Sequence, residues 1–168
     1  MSSHSAKSIL RRIEALAKIT DEPGRITRVF ASPAMGRANE LVASWMREAG
    51  MQTRVDAIGN LIGHYAAAKP GAKILLIGSH LDTVRNAGKF DGPLGVILGI
   101  ACIEHLHQQK IRLPFAIEVI GFADEEGVRY QTAYLGSKVL AGSFNLKDLK
   151  REDTDGISMA EAIKKIWW

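Results

Sequence analysis

Continuous apolar runs dominate the pattern of hydrophobic and polar positions in the middle of the chain. Residues 73–77 and 115–123 carry apolar side chains with few interruptions, which is typical of short strands buried on both faces of a sheet. Residues 51–56 and 60–65 have the composition of two more strands, joined by a turn across residues 57–59. The pattern therefore predicts four strands.

Helical periodicity fills the segments around these strands. Apolar residues recur at three- and four-residue spacing in residues 9–17 and 41–49, and Gly50 is a C-cap candidate for the second of these helices. Residues 93–103 are apolar and begin with proline, which suits the first turn of a helix. Further helices are predicted over residues 132–142 and 158–166. Strands and helices mixed in this way predict an α/β fold in three layers, with a mostly parallel sheet between helices.

Composition and charge narrow the class of protein. With 168 residues, 46% hydrophobic and 24% charged, the chain has the length and composition of about one globular domain. Its net charge of +4 invites a nucleic-acid interpretation. However, the basic residues are interspersed with acids and lack an aromatic stacking ladder, so we expect no nucleic-acid binding. A mildly basic surface favours an anionic substrate instead.

Two further features bear on location. No apolar run approaches the roughly 18 residues of a membrane span, so we expect no membrane insertion. The single cysteine, Cys102, cannot form an intramolecular disulfide, and its place in the apolar helix predicts a small buried side chain and not a nucleophile. We therefore expect a cytoplasmic protein.

Residues that can carry chemistry gather at the ends of the apolar strands. His80 and Asp82 come just after the strand predicted at residues 73–77. Glu125 and Glu126 follow the strand predicted at residues 115–123, and Asp91 precedes the apolar helix predicted at residues 93–103. Alone, each of these short motifs is more often a turn or a solvated helix start. Open α/β sheets, however, bind ligands outside the carboxyl ends of their strands, so we expect all five residues to converge on one edge.

These residue types suit a pair of divalent metal ions. Imidazole and carboxylate groups are ligands for zinc and manganese, and the carboxylate of Asp91 can bridge two ions. Asp82 is placed to accept the proton on the other ring nitrogen of His80. One of Glu125 and Glu126 can bind a metal, and the other can move the proton of a water molecule that the metal makes acidic. The pattern predicts metal-dependent hydrolysis.

Three segments also carry a resemblance to a known family. They are Gly-Ser-His-Leu-Asp-Thr-Val at residues 78–84, Ala-Gly-Lys-Phe-Asp-Gly at residues 87–92, and Asp-Glu-Glu-Gly-Val-Arg-Tyr-Gln-Thr-Ala-Tyr-Leu-Gly-Ser at residues 124–137. In this order and approximate spacing they resemble the M20 metallohydrolases, in the branch of allantoate amidohydrolases and N-carbamoyl-L-amino-acid hydrolases. The resemblance covers nearly the whole chain. It implies that residues 1–168 are an N-terminal portion of the binuclear catalytic domain.

The resemblance also implies a role for each candidate. His80 would bind the first metal, and Asp91 would bridge the two. Glu126 would bind the second metal and Glu125 would be the general acid and base, while Asp82 supports His80. The cofactors would be two divalent ions, Mn²⁺ or Zn²⁺.

The implied reaction is hydrolysis of a ureido or linear amidine C–N bond in a small anionic substrate. The Glu-Glu-Gly-Val-Arg-Tyr-Gln-Thr stretch at residues 125–132 is more similar to allantoate amidohydrolases, which yield ureidoglycine, ammonia and carbon dioxide. Hydrolysis of N-carbamoyl-L-amino acids is the alternative, and a dipeptidase-like activity is a third. In each case Glu125 would take a proton from the attacking water and pass it to the leaving group.

The chain departs from the family in its length. Family enzymes have a lid and dimerisation domain, and a further histidine ligand for each metal, in a part that we do not find here; full-length relatives are expected to be homodimers. Each metal would keep two protein ligands, fewer than the three that zinc sites normally use. Four other histidines are interpreted as partly exposed surface residues: His4, His64, His105 and His107. The competing hypothesis is therefore an inactive fragment that binds metal weakly and self-associates through unpaired strands.

Overall fold

The computed structural model describes residues 6–168, which contain a four-stranded sheet and five α-helices. His4 lies outside the described residues. The strands are β1 (Gln52–Val55), β2 (Leu61–Tyr65), β3 (Ile74–His80) and β4 (Ala116–Phe122). The helices are α1 (Ala6–Ala17), α2 (Pro33–Glu48), α3 (Pro93–Gln108), α4 (Leu135–Leu140) and α5 (Met159–Trp167), with a 3₁₀ turn at Leu146–Lys150. All four predicted strands and all five predicted helices are present.

The strands lie in the order β1-β2-β4-β3. β3 and β4 are parallel, with Ile74 opposite Ala116 and His80 opposite Phe122. The other two pairs, β1 with β2 and β2 with β4, are antiparallel. The α/β class is confirmed, but the prediction of a mostly parallel sheet is wrong for residues 6–168. An apolar run indicates burial and not strand direction, and the hairpin of β1 and β2 joins the sheet in the antiparallel sense.

Helices α2 and α3 pack on the same face of the sheet. Gly63 of β2 lies against Met46 of α2, and Gly99 of α3 lies against Val119 of β4 and Ile77 of β3. These strand residues are opposite one another in the register, so their side chains share a face. The main apolar core lies between this face and helices α1 to α3.

The opposite face of the sheet carries both polar and apolar side chains. Glu118 of β4 pairs there with Arg54 and His64, at 3.5 and 3.3 Å, while its neighbour on β3, Leu76, is about half exposed. Apart from α2 and α3, α4 packs against the sheet at the end of β4. Within residues 6–168, α2 and α3 therefore cover one face of the sheet, and the face that carries Glu118 and Leu76 is partly open.

Strand β3 is less buried than its sequence predicts. It lies at the edge of the sheet and pairs with β4 alone, so Ile74, Leu75 and Leu76 are 49%, 47% and 48% exposed. The prediction that this apolar run is buried on both faces is wrong, because a continuous apolar pattern does not reveal a strand's position in the sheet.

Other surface predictions have mixed outcomes. His64 is half-buried, and His105 and His107 are exposed near the end of α3, as predicted. Cys102 is exposed and not buried, because it lies on the outer side of α3 with Leu98. Among residues 6–168, every helix is too short or too polar to traverse a bilayer.

Candidate metal centre

The carboxyl ends of β3 and β4 meet at one edge of the sheet, because these two strands are parallel and in register. His80 is the last residue of β3, Asp91 lies in the turn before α3, and Glu126 follows β4. One ligand atom from each of these three side chains lies within 4.8 Å of the other two. The structure thus brings together the three predicted ligands, although their role as ligands stays a prediction.

The ring of His80 is held by a backbone carbonyl. Its Nδ1 atom is 3.0 Å from the carbonyl oxygen of Asp82, and a carbonyl can only accept, so Nδ1 carries the proton. Nε2 is then free to accept or to bind a cation. It faces Asp91 Oδ1 at 3.9 Å and Glu125 Oε2 at 3.8 Å.

Asp82 supports the site in a way that differs from the prediction. Its carboxylate oxygen Oδ1 is 3.7 Å from Nδ1 of His80, beyond hydrogen-bond distance. The two carboxylate oxygens instead accept hydrogen bonds from the backbone amides of Glu125 and Glu126, each at 3.1 Å. Burial raises the pKa of Asp82, and these two amides and His80 oppose the shift. Asp82 therefore joins the end of β3 to the segment that follows β4.

Asp124 is a buried carboxyl to which the sequence assigned no role. It is 1% exposed, and its φ of 49° places it in the left-handed region, which asparagine and aspartate tolerate better than most residues. Burial, with a further contribution from Asp82, raises its pKa to about 8. Its Oδ2 atom has no hydrogen-bond partner within the described part of the chain. A second buried group, Arg28, was also missed, and it lies beneath the loop that follows β3.

The remaining carboxylates are more exposed. The side chain of Asp91 is 67% exposed and that of Glu125 is 33% exposed. Burial raises the pKa of Glu126; His80 opposes the shift and the neighbouring carboxylates add to it. A cation bound among these groups would relieve the repulsion between their negative charges.

Glycine is required next to Asp91. Gly92 has a φ of 81° and is the N-cap residue, directly before α3. A Cβ at this position would lie 2.5 Å from Cε1 of His80 and 2.7 Å from its carbonyl oxygen. The Asp-Gly pair, which resembles an ordinary turn in the sequence, thus allows the imidazole to pack against the start of the helix.

The residues present fit a divalent cation. One imidazole nitrogen and two carboxylate oxygens are ligands that zinc and manganese accept, and the fixed Nδ1 proton directs Nε2 of His80 towards the carboxylates. His80, Asp91 and Glu126 could therefore hold the metal. Glu125 faces the same space from outside this group of ligands.

The sequence is similar to those of known proteins. Residues 76–164 match peptidase family M20/M25/M40. The chain is 42% identical over 156 residues to the N-carbamoyl-L-amino acid amidohydrolase of Geobacillus stearothermophilus, an alignment that covers 92% of this chain and 38% of that protein. It is 41% identical over 158 residues to allantoate deiminase 1 of Glycine max, covering 92% of this chain and 32% of that protein.

The fold is similar to that of solved structures. A hydantoinase/carbamoylase family amidase from Burkholderia ambifaria superposes with a TM-score of 0.90 at 35% sequence identity, over 96% of this chain and 40% of that chain. The chain therefore spans two fifths or less of the length of these relatives.

Proposed function

Because the chain belongs to peptidase family M20/M25/M40, we propose that it supplies the metal-binding part of a hydrolase that cleaves ureido C–N bonds in small anionic substrates. The observation that carries this proposal is the group formed by His80, Asp91 and Glu126, whose ligand atoms lie within 4.8 Å of one another. Glu125 lies beside this group, 3.8 Å from His80. A metal-binding group and an adjacent free carboxylate are the two parts that metal-assisted hydrolysis requires.

In this proposal, each side chain of the group has one task. His80, Asp91 and Glu126 would bind the metal, and the carboxylate of Asp91, which has two oxygens, could be shared between two ions. When bound, a divalent cation polarises the scissile carbonyl and makes water acidic enough to ionise near neutral pH. Asp82 keeps the His80 proton on Nδ1 through its backbone carbonyl.

Glu125 is the proposed general acid and base. Its amide donates to Asp82 and its carbonyl accepts from the amide of Tyr134, at 3.1 and 3.2 Å, so its backbone is fixed on both sides. Its side chain is one third exposed and can reach a substrate. It would take the proton of the attacking water and transfer it to the departing ammonia.

We propose allantoate as the substrate, with N-carbamoyl-L-amino acids as the second candidate. The Glu-Glu-Gly-Val-Arg-Tyr-Gln-Thr stretch favours the first. The second is supported by the 42% identity to an N-carbamoyl-L-amino acid amidohydrolase. Both substrates present a ureido carbon and a carboxylate, so the same metal group and the same Glu125 serve either reaction.

We further propose Mn²⁺ or Zn²⁺ as the metal, since both accept imidazole and carboxylate ligands. A cytoplasmic location is proposed from the single cysteine, Cys102. Homodimer formation is proposed for the longer proteins of the family.

Metal binding is tested with residues 1–168 themselves. Titration calorimetry with Mn²⁺ and Zn²⁺ should show binding that His80→Ala abolishes. His105→Ala is a matched change at an exposed histidine of α3 and should leave binding unaltered. Equal binding by the wild type and the His80 variant would contradict the metal assignment.

Catalysis is tested in a chimera. The 156 aligned residues replace their counterpart in the Geobacillus stearothermophilus relative, and ammonia release is measured from allantoate and from N-carbamoyl-L-amino acids. We expect release that Glu125→Gln nearly abolishes, with the preferred substrate revealed by the ratio of kcat/KM values. A folded, metal-loaded chimera that hydrolyses neither compound would refute the proposed reaction. We expect residues 1–168 alone to release no measurable ammonia with either metal.

A further inference from the structure

Arg28 is a buried cation that no part of the proposed chemistry uses. Its side chain is among the largest fully buried ones, at 1% exposure. Its guanidinium donates to three backbone carbonyls: Nε to Leu81 at 3.1 Å, and Nη1 to Leu16 at 3.1 Å and Ile19 at 3.0 Å. Removing a charge from water is costly unless the structure compensates it, so its position needs an explanation.

The surroundings of Arg28 keep it charged. Burial lowers its pKa to about 10, and the negative charges of Asp82 and Asp21 oppose the shift. The guanidinium is therefore protonated at neutral pH. Asp82 is itself buried at 1% exposure, so Arg28 supplies a positive charge close to a carboxylate that burial would otherwise destabilise.

Arg28 is also joined to the segment after β3 through its backbone. Its amide donates to Oγ1 of Thr83, and the amide of Thr83 donates to the carbonyl of Arg28, each at 2.9 Å. With the bond from Nε to Leu81, three hydrogen bonds fix the segment of residues 81–83 to Arg28. The bonds from Nη1 to Leu16 and Ile19 attach this unit to the end of α1.

The fixed segment determines the position of both sides of the metal group. The carbonyl of Asp82 accepts from Nδ1 of His80, and its carboxylate accepts from the amides of Glu125 and Glu126. A shift of this segment would therefore move the imidazole and the glutamates together.

We propose that Arg28 is a positioning residue: it holds residues 81–83 so that Asp82 can fix His80 and the Glu125–Glu126 pair in one geometry. Among the described residues, the hydrogen bonds of Arg28 go to Leu16, Ile19, Leu81 and Thr83 and not to His80, Asp91 or Glu126, so it acts through the segment that holds Asp82. The role rests on the proposed function only in treating the group as a metal site.

The first experiment examines metal-free protein. Long-range ¹H–¹⁵N NMR of residues 1–168 reports which nitrogen of His80 carries the proton. We expect the Nδ1-protonated form in the wild type and a mixture of tautomers in Arg28→Met. Arg28→Lys, which keeps the charge, should restore part of the wild-type spectrum.

The matched control is Arg12→Met. Arg12 is also largely buried, but it pairs with Glu104 between α1 and α3 at 3.0 Å and has no contact with the metal group. The Arg12→Met variant should unfold at a lower urea concentration than the wild type, and the NMR signals of His80 should not change. A wild-type tautomer in folded Arg28→Met would overturn the proposal, since Arg28 would then support only the core.

The second experiment measures Co²⁺ binding by its absorption spectrum. Because groups that orient a ligand typically change metal affinity by 10- to 100-fold, we expect at least a roughly tenfold loss in Arg28→Met, a smaller loss in Arg28→Lys and none in Arg12→Met. Unchanged affinity and spectrum in Arg28→Met would contradict the proposal. If the wild type binds no Co²⁺, the proposed function fails, and the NMR result still decides the role of Arg28.

A second position keeps the test decisive if Arg28→Met does not fold. Thr83→Val removes the hydroxyl that accepts from the Arg28 amide, while Thr83→Ser retains it. We expect the altered His80 tautomer in the valine variant and the wild-type tautomer in the serine variant. Wild-type signals in both would overturn the proposal.

Discussion

The two ends of strand β3 differ in a way that polarity alone would not predict. At its start, the apolar side chains of Ile74, Leu75 and Leu76 are each nearly half exposed. Just past its end, the polar residues Asp82 and Thr83 are each 1% exposed. Here the burial of a residue depends on the interaction partners around it and not on its polarity. The polar end is buried because the chain supplies hydrogen bonds to it. The apolar end is exposed because no strand within residues 6–168 pairs with the outer edge of β3.

The largest expected effect on stability comes from a polar residue. Loss of the Asp82 side chain should destabilise the protein more than loss of the apolar Leu76 side chain, the reverse of what is usual for polar and apolar residues. Asp82→Ala leaves the amides of Glu125 and Glu126 without acceptors, and each unsatisfied donor costs about 1–3 kcal/mol. We expect a loss of about 3 kcal/mol in the free energy of unfolding. Leu76→Ala should cost less than about 1 kcal/mol, since the side chain is already half exposed.

Urea denaturation with an unchanged m-value measures both losses. Asp82→Asn keeps one carbonyl oxygen and should lie between wild type and Asp82→Ala. The comparison between the two ends of β3 would break if Leu76→Ala proved the more destabilising change.

Asp124 gives the next largest effect, through pH. Its pKa is raised to about 8 by burial and by Asp82, whereas an aspartate in the unfolded chain releases its proton near 4. Between these values the folded state binds the extra proton, so the stabilisation contributed by Asp124 is complete below about pH 4 and is lost as pH rises through about 8. The slope from this group is about 1.4 kcal/mol per pH unit.

The measurement is urea unfolding at pH 5.5 and 7.5 in the presence of a chelator. Wild type should lose about 2 kcal/mol more than Asp124→Asn over this range. Asparagine suits the left-handed φ of 49° and cannot ionise, so it is the matched control. Parallel pH dependences would show that Asp124 is already ionised in the folded protein.

Much of the site could be predicted because it follows from chain connectivity. His80 is the last residue of one strand with a clear apolar run and Glu126 follows another, and parallel strands place their carboxyl ends together. Asp91 stands just before a helix marked by proline. To predict these three positions, it was enough to identify the two strands and the helix and to expect the two strands to run in the same direction.

The supporting contacts could not be predicted in the same way. The hydrogen bonds that the amides of Glu125 and Glu126 donate to Asp82 join residues 43 and 44 positions apart, and they depend on how the two loops meet. Arg28 lies in an irregular segment with no periodic pattern. The exposed start of β3 was missed because an apolar run looks the same at an edge and at the centre of a sheet.

Glu125 and Glu126, whose amides bond to Asp82 at the polar end of β3, should differ in their effect on metal affinity. Glu126→Gln should weaken Zn²⁺ or Mn²⁺ binding by residues 1–168 about tenfold, equivalent to about 1.4 kcal/mol. Glu125→Gln should leave affinity within about threefold, because in our proposal it moves a proton and binds no metal. Titration calorimetry measures both. Loss of metal in the Glu125 variant, with retention in the Glu126 variant, would mean that their roles are exchanged.

The smallest expected change in stability comes from the exposed end of β3, where the readout is association. An edge strand of seven residues without proline at Ile74–Leu76 offers unpaired backbone groups and apolar side chains to a second copy of the chain. We expect residues 1–168 to self-associate in sedimentation velocity at micromolar concentrations. Leu76→Lys should reduce this association, because a charge on an edge strand opposes pairing with another strand. It should change the free energy of unfolding by no more than about 0.5 kcal/mol, since Leu76 is exposed and its cross-strand neighbour is Glu118.

The opposite edge of the sheet provides the control for this last prediction. Strand β1 has four residues and carries the charged Arg54, features that protect an edge from pairing. Val55→Lys on β1 introduces the same charge at a side chain that is 39% exposed and should leave association unchanged. If both lysine variants reduce association equally, net charge and not strand pairing drives it. A wild type that stays monomeric at all concentrations would show that β3 is protected as an edge despite its exposed apolar side chains.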